Sequence, residues 1–418
     1  MTNIILSNLN IIDTGADTTY MGGISVIAGK IAGIGTHITN GTDMNGLTLI
    51  PGIVDMRIHL NDPGQTHKES LEETLTHALH GGITQVMAQP DTNPVLDNAS
   101  RIRTILDRAS EIKGADLNII GAITKDLNGK EIAEIGLMNQ AGINAFSNGD
   151  TTITNTMVLG RAIQYASMFN TSFHMHAMDS GLSQGGMVHE SQSSTKLGLK
   201  GISPLAEILE TSRLITLIQG FNVNLHISHV SCKKTVEIIR NAKANDIKIT
   251  ADVCHHHLAL SEDAIGDYKT HTKIIPPLRS GDDRLALIAG VKDGTIDAIV
   301  SDHRAEDQDS KRLPFAQAGF GAIGLQTLLP IALSLYHSGD MTLLEVIKSL
   351  TIKPSKINKL DSGTLSKGLS ADFVIIDPNK TIEINKTTTL GKCKNTPYEL
   401  TSLTGAVIQT YKNGERLV

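Results

Sequence analysis

The chain has no tryptophan, only 3% aromatic residues and three cysteines in 418 residues. With so few rings available, the core has to be built from Ile, Leu, Val, Ala and Met. Cys232, Cys254 and Cys393 are scattered, with no C-x-x-C pair. That excludes a disulfide framework and points to reduced thiols and a cytoplasmic location. No apolar run reaches about 18 residues, and the first ten residues lack a basic stretch leading into an apolar segment, so neither a membrane span nor a signal peptide is expected. A formal net charge of -6, with no block of one sign, gives no reason to expect nucleic-acid binding. Internal repeats and low-complexity linkers are also missing.

What is present is an alternation. Short apolar runs at 53–59, 83–88, 117–123, 143–146, 172–176, 223–229, 247–253 and 296–301 read as strands, most of them separated by amphipathic helical patterns. One such helix is announced by Ser203-Pro204-Leu205 and closed by Gly220: a cap residue, a proline at the first helical position and a glycine past the end. Eight β/α units in about 250 residues indicate a TIM-type (β/α)8 barrel. The flanks differ. Residues 1–50 hold short alternating segments with turns at Gly22-Gly23, Gly29-Lys30 and Gly33, and the tail from Gly363 onward repeats that style up to an Asn413-Gly414 hairpin signal. The expected architecture is α/β: a barrel over 51–362 and a small β domain made from both termini, 1–50 plus 363–418.

Chemistry in such a barrel gathers where the strands end. Those ends carry Arg57 and His59, Gln89 and Asp91, Asn148, His174 and His176, His226 and His229, His255 to His257, and Asp302 with His303. A single strand-end histidine is more often a hydrogen-bonded structural residue. Histidines on four strands plus an aspartate on the eighth are a stronger signal, and imidazole with carboxylate suits zinc. His255 to His257 are expected to pack behind the ligands, and His67, His77 and His80 to be solvated.

Pro51-Gly52-Ile53-Val54-Asp55, Pro90-Asp91-Thr92-Asn93-Pro94, His176-Ala177-Met178-Asp179, His229-Val230-Ser231, Pro276-Pro277-Leu278-Arg279 and Asp302-His303 give the chain its resemblance to the dihydroorotases of the amidohydrolase superfamily, over essentially its whole length. The resemblance implies a zinc-assisted interconversion of carbamoyl aspartate and dihydroorotate. It implies metal ligands at His59, His176, His229 and Asp302, with Asp302 also the general base.

Other positions depart from that pattern. Arg57 stands where the first histidine of the first-strand pair belongs, and a guanidinium cannot ligate a metal. Asn148 stands at the bridging carboxylate, with Asp150 two residues on as an alternative. The substrate positions implied by the resemblance fall at Asn61, Asp91, Ile275 and Glu306, so a clamp of Arg, Asn and His becomes Asn, Asp and Glu. Two new acids would repel a dianionic substrate, with Arg304 able to offset one. Arg57 is expected to pair with Asp302 or Asp55 in place of one metal's charge, leaving at most one zinc; the alternative is an Arg57 turned outward.

Three readings follow. The first is a dihydroorotase-like protein with its activity lost or strongly reduced, similar to non-catalytic homologues that assemble with aspartate carbamoyltransferase; the resemblance implies that partner and an oligomer. The second is an active one-zinc dihydroorotase gripping substrate through Arg279 or Arg304. The third is a hydrolase of another, neutral or cationic, cyclic amide.

Overall fold

The structure is a computed structural model that describes residues 3–418. Its centre is a ring of parallel strands: Ile53–Ile58, Ile83–Ala88, Asp116–Ile119 continued by Gly121–Ala122, Ala145–Ser147, Ser172–His176, Asn224–Ser228, Ile249–Cys254 and Ala298–Val300. The third strand breaks at Ile120, so its first half pairs with the second strand and its second half with the fourth. The ring closes where the backbone N–H of His59 donates to the carbonyl of His303 at 2.9 Å, next to a parallel bridge between Ile58 and His303. The eight apolar runs of the sequence are the eight strands of a TIM-type barrel, buried on both faces as parallel strands require.

The helices between the strands start where short polar residues satisfy their free N–H groups. Ser70 and Glu73 form a reciprocal cap at the head of Leu71–His80, and Ser280 with Asp283 does the same for Gly281–Lys292. Helix Pro204–Ile218 begins at its proline as expected, but the Ser203 hydroxyl makes no capping bond. The main hydrophobic cluster is built from Ile, Leu, Val, Ala and Met, with Phe146 and Phe173 as its only fully buried aromatic rings among the described residues.

Both termini feed one mixed sheet. Strands Ile4–Asp13, Thr18–Ile27, Lys30–Gly35 and Thr48–Pro51 join Phe373–Ile384 and Thr401–Lys412, the last two paired antiparallel. The chain enters the barrel through Gly52, where an added Cβ would lie 2.1 Å from the Thr84 hydroxyl. The outer edge of Lys30–Gly35 is covered by residues 368–371, through Ile31 N–H to Leu369 O at 3.0 Å and Gly368 N–H to Ile31 O at 2.8 Å, which removes an open edge. All three cysteines are buried and free. Among the described residues no helix is long and apolar enough to cross a membrane.

Candidate functional site

At the C-terminal mouth of the barrel the first strand delivers Arg57 inward, where it is 0% exposed. Its Nε donates to Asp302 Oδ1 at 2.8 Å and its Nη2 to Asp150 Oδ1 at 2.6 Å. The guanidinium therefore bridges two carboxylates instead of forking onto one. Asp55, the other expected partner, accepts only the backbone N–H of Arg57 and that of Ser301. Burial has pushed the Asp55 carboxyl up to about 6.

A second guanidinium faces the first. Arg304 bonds to Asp150 Oδ2, lies 3.8 Å from Asp91 Oδ2 and packs against the His59 ring. Asp150 thus sits between two arginines, one on each oxygen. Burial alone would raise its pKa, but Arg304 and Arg57 hold it well below the usual carboxylate range. Asp302 is held low in the same way, against its burial, by His229 and Arg57.

His59 turns between two acids, with Nδ1 2.7 Å from Asp91 Oδ2 and Nε2 3.3 Å from Asp302 Oδ1. Burial and Arg304 lower its pKa, Asp91 and Asp302 raise it, and the carboxylates prevail. The imidazolium form donates to both and has no lone pair for a metal. His176 and His229 meet each other instead, Nδ1 to Nε2 at 2.6 Å, and the other nitrogen of His229 lies 3.2 Å from Asp302 Oδ2. Burial and His229 bring His176 down to about 3, so it is neutral. His229 and Asp302 both hold left-handed backbone, with φ of 39° and 49°, a costly conformation for side chains and common at functional sites.

Among the described residues two groups of donor atoms converge, each within 4.8 Å of one another: Cys254, His255 and His256 behind the mouth, and Asp150, His176 and His229 at it. This differs from the expected quartet. Asp150 joins the histidines, whereas His59 is turned to Asp91 and Asp302. A metal pair does not fit these residues. Arg57 stands where the resemblance implies an imidazole and Asn148 where it implies a bridging carboxylate, and the Asn148 amide is fully engaged, accepting from Thr124 Oγ1 at 2.6 Å and donating to Leu127 O at 3.2 Å and Thr151 O at 3.0 Å. One ion could sit at Asp150, His176 and His229 only if Asp150 let go of both arginines and the two imidazoles parted.

The positions that the resemblance implies for substrate are likewise spoken for. Asn61 donates to Ala305 O at 3.1 Å. Ile275 packs with Met178, Ile202 and Ala206. Glu306 is gripped by Lys68 through both oxygens, at 3.0 and 2.9 Å, and Asp91 is neutralised by His59 and Arg304. The two acids expected to repel an anion are therefore already paired, and the repulsion is smaller than their sequence positions suggest. Arg279, a proposed substrate grip, is 2% exposed and ties Ser231 Oγ to Ile202 O at 3.1 and 2.8 Å. Asn395, from the C-terminal segment, fixes the loop after strand eight by accepting from Glu306 N–H and donating to Arg304 O and Gly321 O. Nothing in the sequence singled out Lys68 or Asn395, because each acts on a residue far away along the chain.

His174 and His226 lie deeper, with His226 on Asp252 at 2.8 Å and His174 on Ser172 at 3.1 Å. His255, His256 and His257 are buried and bonded to Thr327, Tyr398 and Pro276. His77 is half-buried 3.5 Å from Glu69, whereas His80 and His67 are exposed.

A closed barrel, a β domain from both ends, and imidazoles with a carboxylate at the strand ends define an amidohydrolase-type protein. Solved structures agree on the fold: the L-hydantoinase (dihydropyrimidinase) from Arthrobacter aurescens superposes with a TM-score of 0.88 at 23% identity, covering 100% of this chain and 96% of that one. The dihydropyrimidinase from Brevibacillus agri NCHU1002 gives 0.84 at 20% identity, covering 100% and 95%. A family profile described as dihydro-orotase-like matches residues 46–235. The dihydroorotase of Wolbachia sp. subsp. Drosophila simulans is 35% identical over 99% of this chain and 95% of its own length, and that of Acetivibrio thermocellus is 36% identical over 99% of each. The chain belongs to the dihydroorotase family.

Proposed function

We propose that this protein is a dihydroorotase-family member in which a salt-bridge network stands in for the metal centre, so that it has little or no hydrolase activity and serves as a structural partner of aspartate carbamoyltransferase. The observation that carries the loss of chemistry is the pair Arg57 and Arg304, set among Asp150, Asp302 and Asp91. Two fixed cations supply charge where metal-assisted chemistry needs a Lewis acid and an activated water. A general base must also have a proton to take and a free oxygen to take it. Here both Asp302 oxygens are engaged, by Arg57, His59 and His229. The partner rests on the resemblance to non-catalytic homologues, and an intact fold with a spent site is what such a role requires.

A second reading keeps one zinc at Asp150, His176 and His229, since these donors do converge. Elemental analysis of the purified protein, together with a dihydroorotate hydrolysis assay in added zinc, separates the two. The first reading expects trace metal and no turnover. About one zinc per chain with turnover would overturn it and leave the second. Co-purification of tagged protein with aspartate carbamoyltransferase tests the partner, and monodisperse protein that ignores the enzyme in a mixing experiment would remove that part.

A further inference from the structure

The opposite face of the barrel carries a cavity of about 430 Å³, within the usual size of small-molecule sites. It opens at the N-terminal ends of strands five, six and seven, beside Ser172, Asn224 and Ile249. It is therefore remote from the arginine pair at the mouth. Four lysines line it: Lys248, Lys353, Lys356 and Lys359.

None of the four is ion-paired. Among the described residues none of the four lies within 4.0 Å of a carboxylate, whereas the neighbouring Lys243 and Lys348 each have an acid partner. Lys248 reaches only the Asn222 amide oxygen at 3.1 Å and Lys359 only the Asn170 carbonyl at 2.7 Å. The one acid on the wall, Asp297, is already held by Lys243 at 2.7 Å and by Ala251 N–H at 2.9 Å. Burial lowers the pKa of half-buried Lys353, with Asp297 acting against it and Lys348 and Lys243 adding to it. In a chain whose net charge is -6, an unpaired quartet around one cavity runs against the overall balance.

A solvated basic rim would account for exposed lysines alone. It does not account for a half-buried Lys353 in a concave site that also has an apolar wall, formed by Leu225, Ile247 and Ile357. Ammonium groups are compact point charges with three donors each, suited to phosphate oxygens. An apolar wall next to them suits a flat ring. From this juxtaposition we infer that the cavity binds a small phosphate-bearing anion of nucleotide type, with phosphates on the lysine rim and the base on the apolar wall. Binding would draw together helix Ile352–Asn358, which carries Lys353 and Lys356, and the strand-seven entry that carries Lys248. The site would thus report on the packing of the barrel floor without touching the mouth.

Calorimetric titration of the full-length protein at low salt, with ATP and separately with pyrophosphate as probes, tests this. Both probes should bind saturably, ATP more tightly, and both should weaken as salt rises, as screened charge requires. Lys353→Gln/Lys356→Gln should lose at least about tenfold in affinity, the equivalent of roughly 1.4 kcal/mol. Lys248→Gln/Lys356→Gln, in which both side chains are exposed, should lose a similar amount while leaving the core intact. Lys113→Gln, on an exposed pair with Glu415, should change nothing. No saturable binding of either probe, or unchanged affinity in both double variants, would overturn the site. Equal affinity for ATP and pyrophosphate would overturn the place given to the base.

Discussion

Replacing Arg57 by Met removes a cation whose side chain is 1% exposed and whose partners Asp150 and Asp302 lie at 2.6 and 2.8 Å. With charge centres about 4 Å apart and an effective dielectric near 20, each attraction is worth roughly 4 kcal/mol before desolvation. Taking such ions out of water costs several kcal/mol each, so the intact cluster is close to break-even against an apolar core. Removing only the cation is different. Asp150 and Asp302 stay charged and only partly exposed, sharing Arg304 and His59, and the expected loss is about 3–5 kcal/mol. Against a total stability of about 5–15 kcal/mol, that is a large fraction. Urea unfolding followed by circular dichroism measures it. The diagnostic is the sign of the next step: Arg57→Met/Asp302→Asn should recover part of the loss, because the Asp302 charge is gone while Asp150 keeps Arg304. A single variant that costs under about 1 kcal/mol, or a double variant less stable than the single, would refute the charge-bridge account.

Asn148→Asp should destabilise by about 1–3 kcal/mol, since its oxygens would meet the carbonyls of Leu127 and Thr151 that the amide now serves; unchanged urea midpoints would contradict this. Lys273→Met should cost about 2–4 kcal/mol and open residues 313–321 to protease, because the buried ammonium holds the carbonyls of Phe315, Ala316 and Ala318. An uncleaved loop in limited proteolysis would count against that role. His255 and His257 are pushed by burial down to about 3 and about 4. The unfolded chain therefore binds protons below its ordinary value of about 6.5 that the folded chain refuses, and stability should fall as pH drops from about 6.5 toward 4, by up to roughly 1.4 kcal/mol per pH unit for each group. His59, whose pKa is raised, acts oppositely: its contribution is complete below about 6.5 and fades as pH rises through the folded value. Urea midpoints that stay flat between pH 6.5 and 4.5 would refute the buried neutral histidines.

The barrel was legible because each strand is an apolar run and each mouth residue follows one at its C-terminal end. The β domain was legible from glycine turns at both termini. Arg57 could be read as an intruder among histidines, and charge offered Asp302 or Asp55 as its partner; the structure gives Asp302 and, in place of Asp55, Asp150. What the sequence concealed was compensation over distance. Lys68 neutralises Glu306 from 238 positions away, and no local pattern marks that pairing. Asp150 looked like a weak substitute for the position at Asn148. In three dimensions it is the anion between both arginines, since Asn148 turns back to cap its own loop and the next turn carries Asp150 to the centre. Arg279 looked available for substrate because an arginine in a loop usually is; its burial under Ser231 and Ile202 depends on a loop whose path cannot be read from spacing.

The arginine pair also decides what a simple reversion can achieve. The bonds from Arg57 to Asp302 and to Asp150 are only half of the network, and Arg304 holds the other oxygen of Asp150. Arg57→His would restore an imidazole at the first strand, but a divalent ion approaching His176, His229 and Asp150 would still meet the Arg304 guanidinium and a carboxylate already committed to it. Repulsion between such charges at about 4 Å, at an effective dielectric near 20, is roughly 8 kcal/mol for a divalent ion and one cation, enough to cancel a respectable binding energy. Arg57→His alone should therefore take up little zinc, and Arg57→His/Arg304→Ala should bind it measurably by equilibrium dialysis, whether or not turnover returns. Stoichiometric zinc in the single variant would mean that Arg304 yields freely, and that Arg57 by itself keeps the metal out.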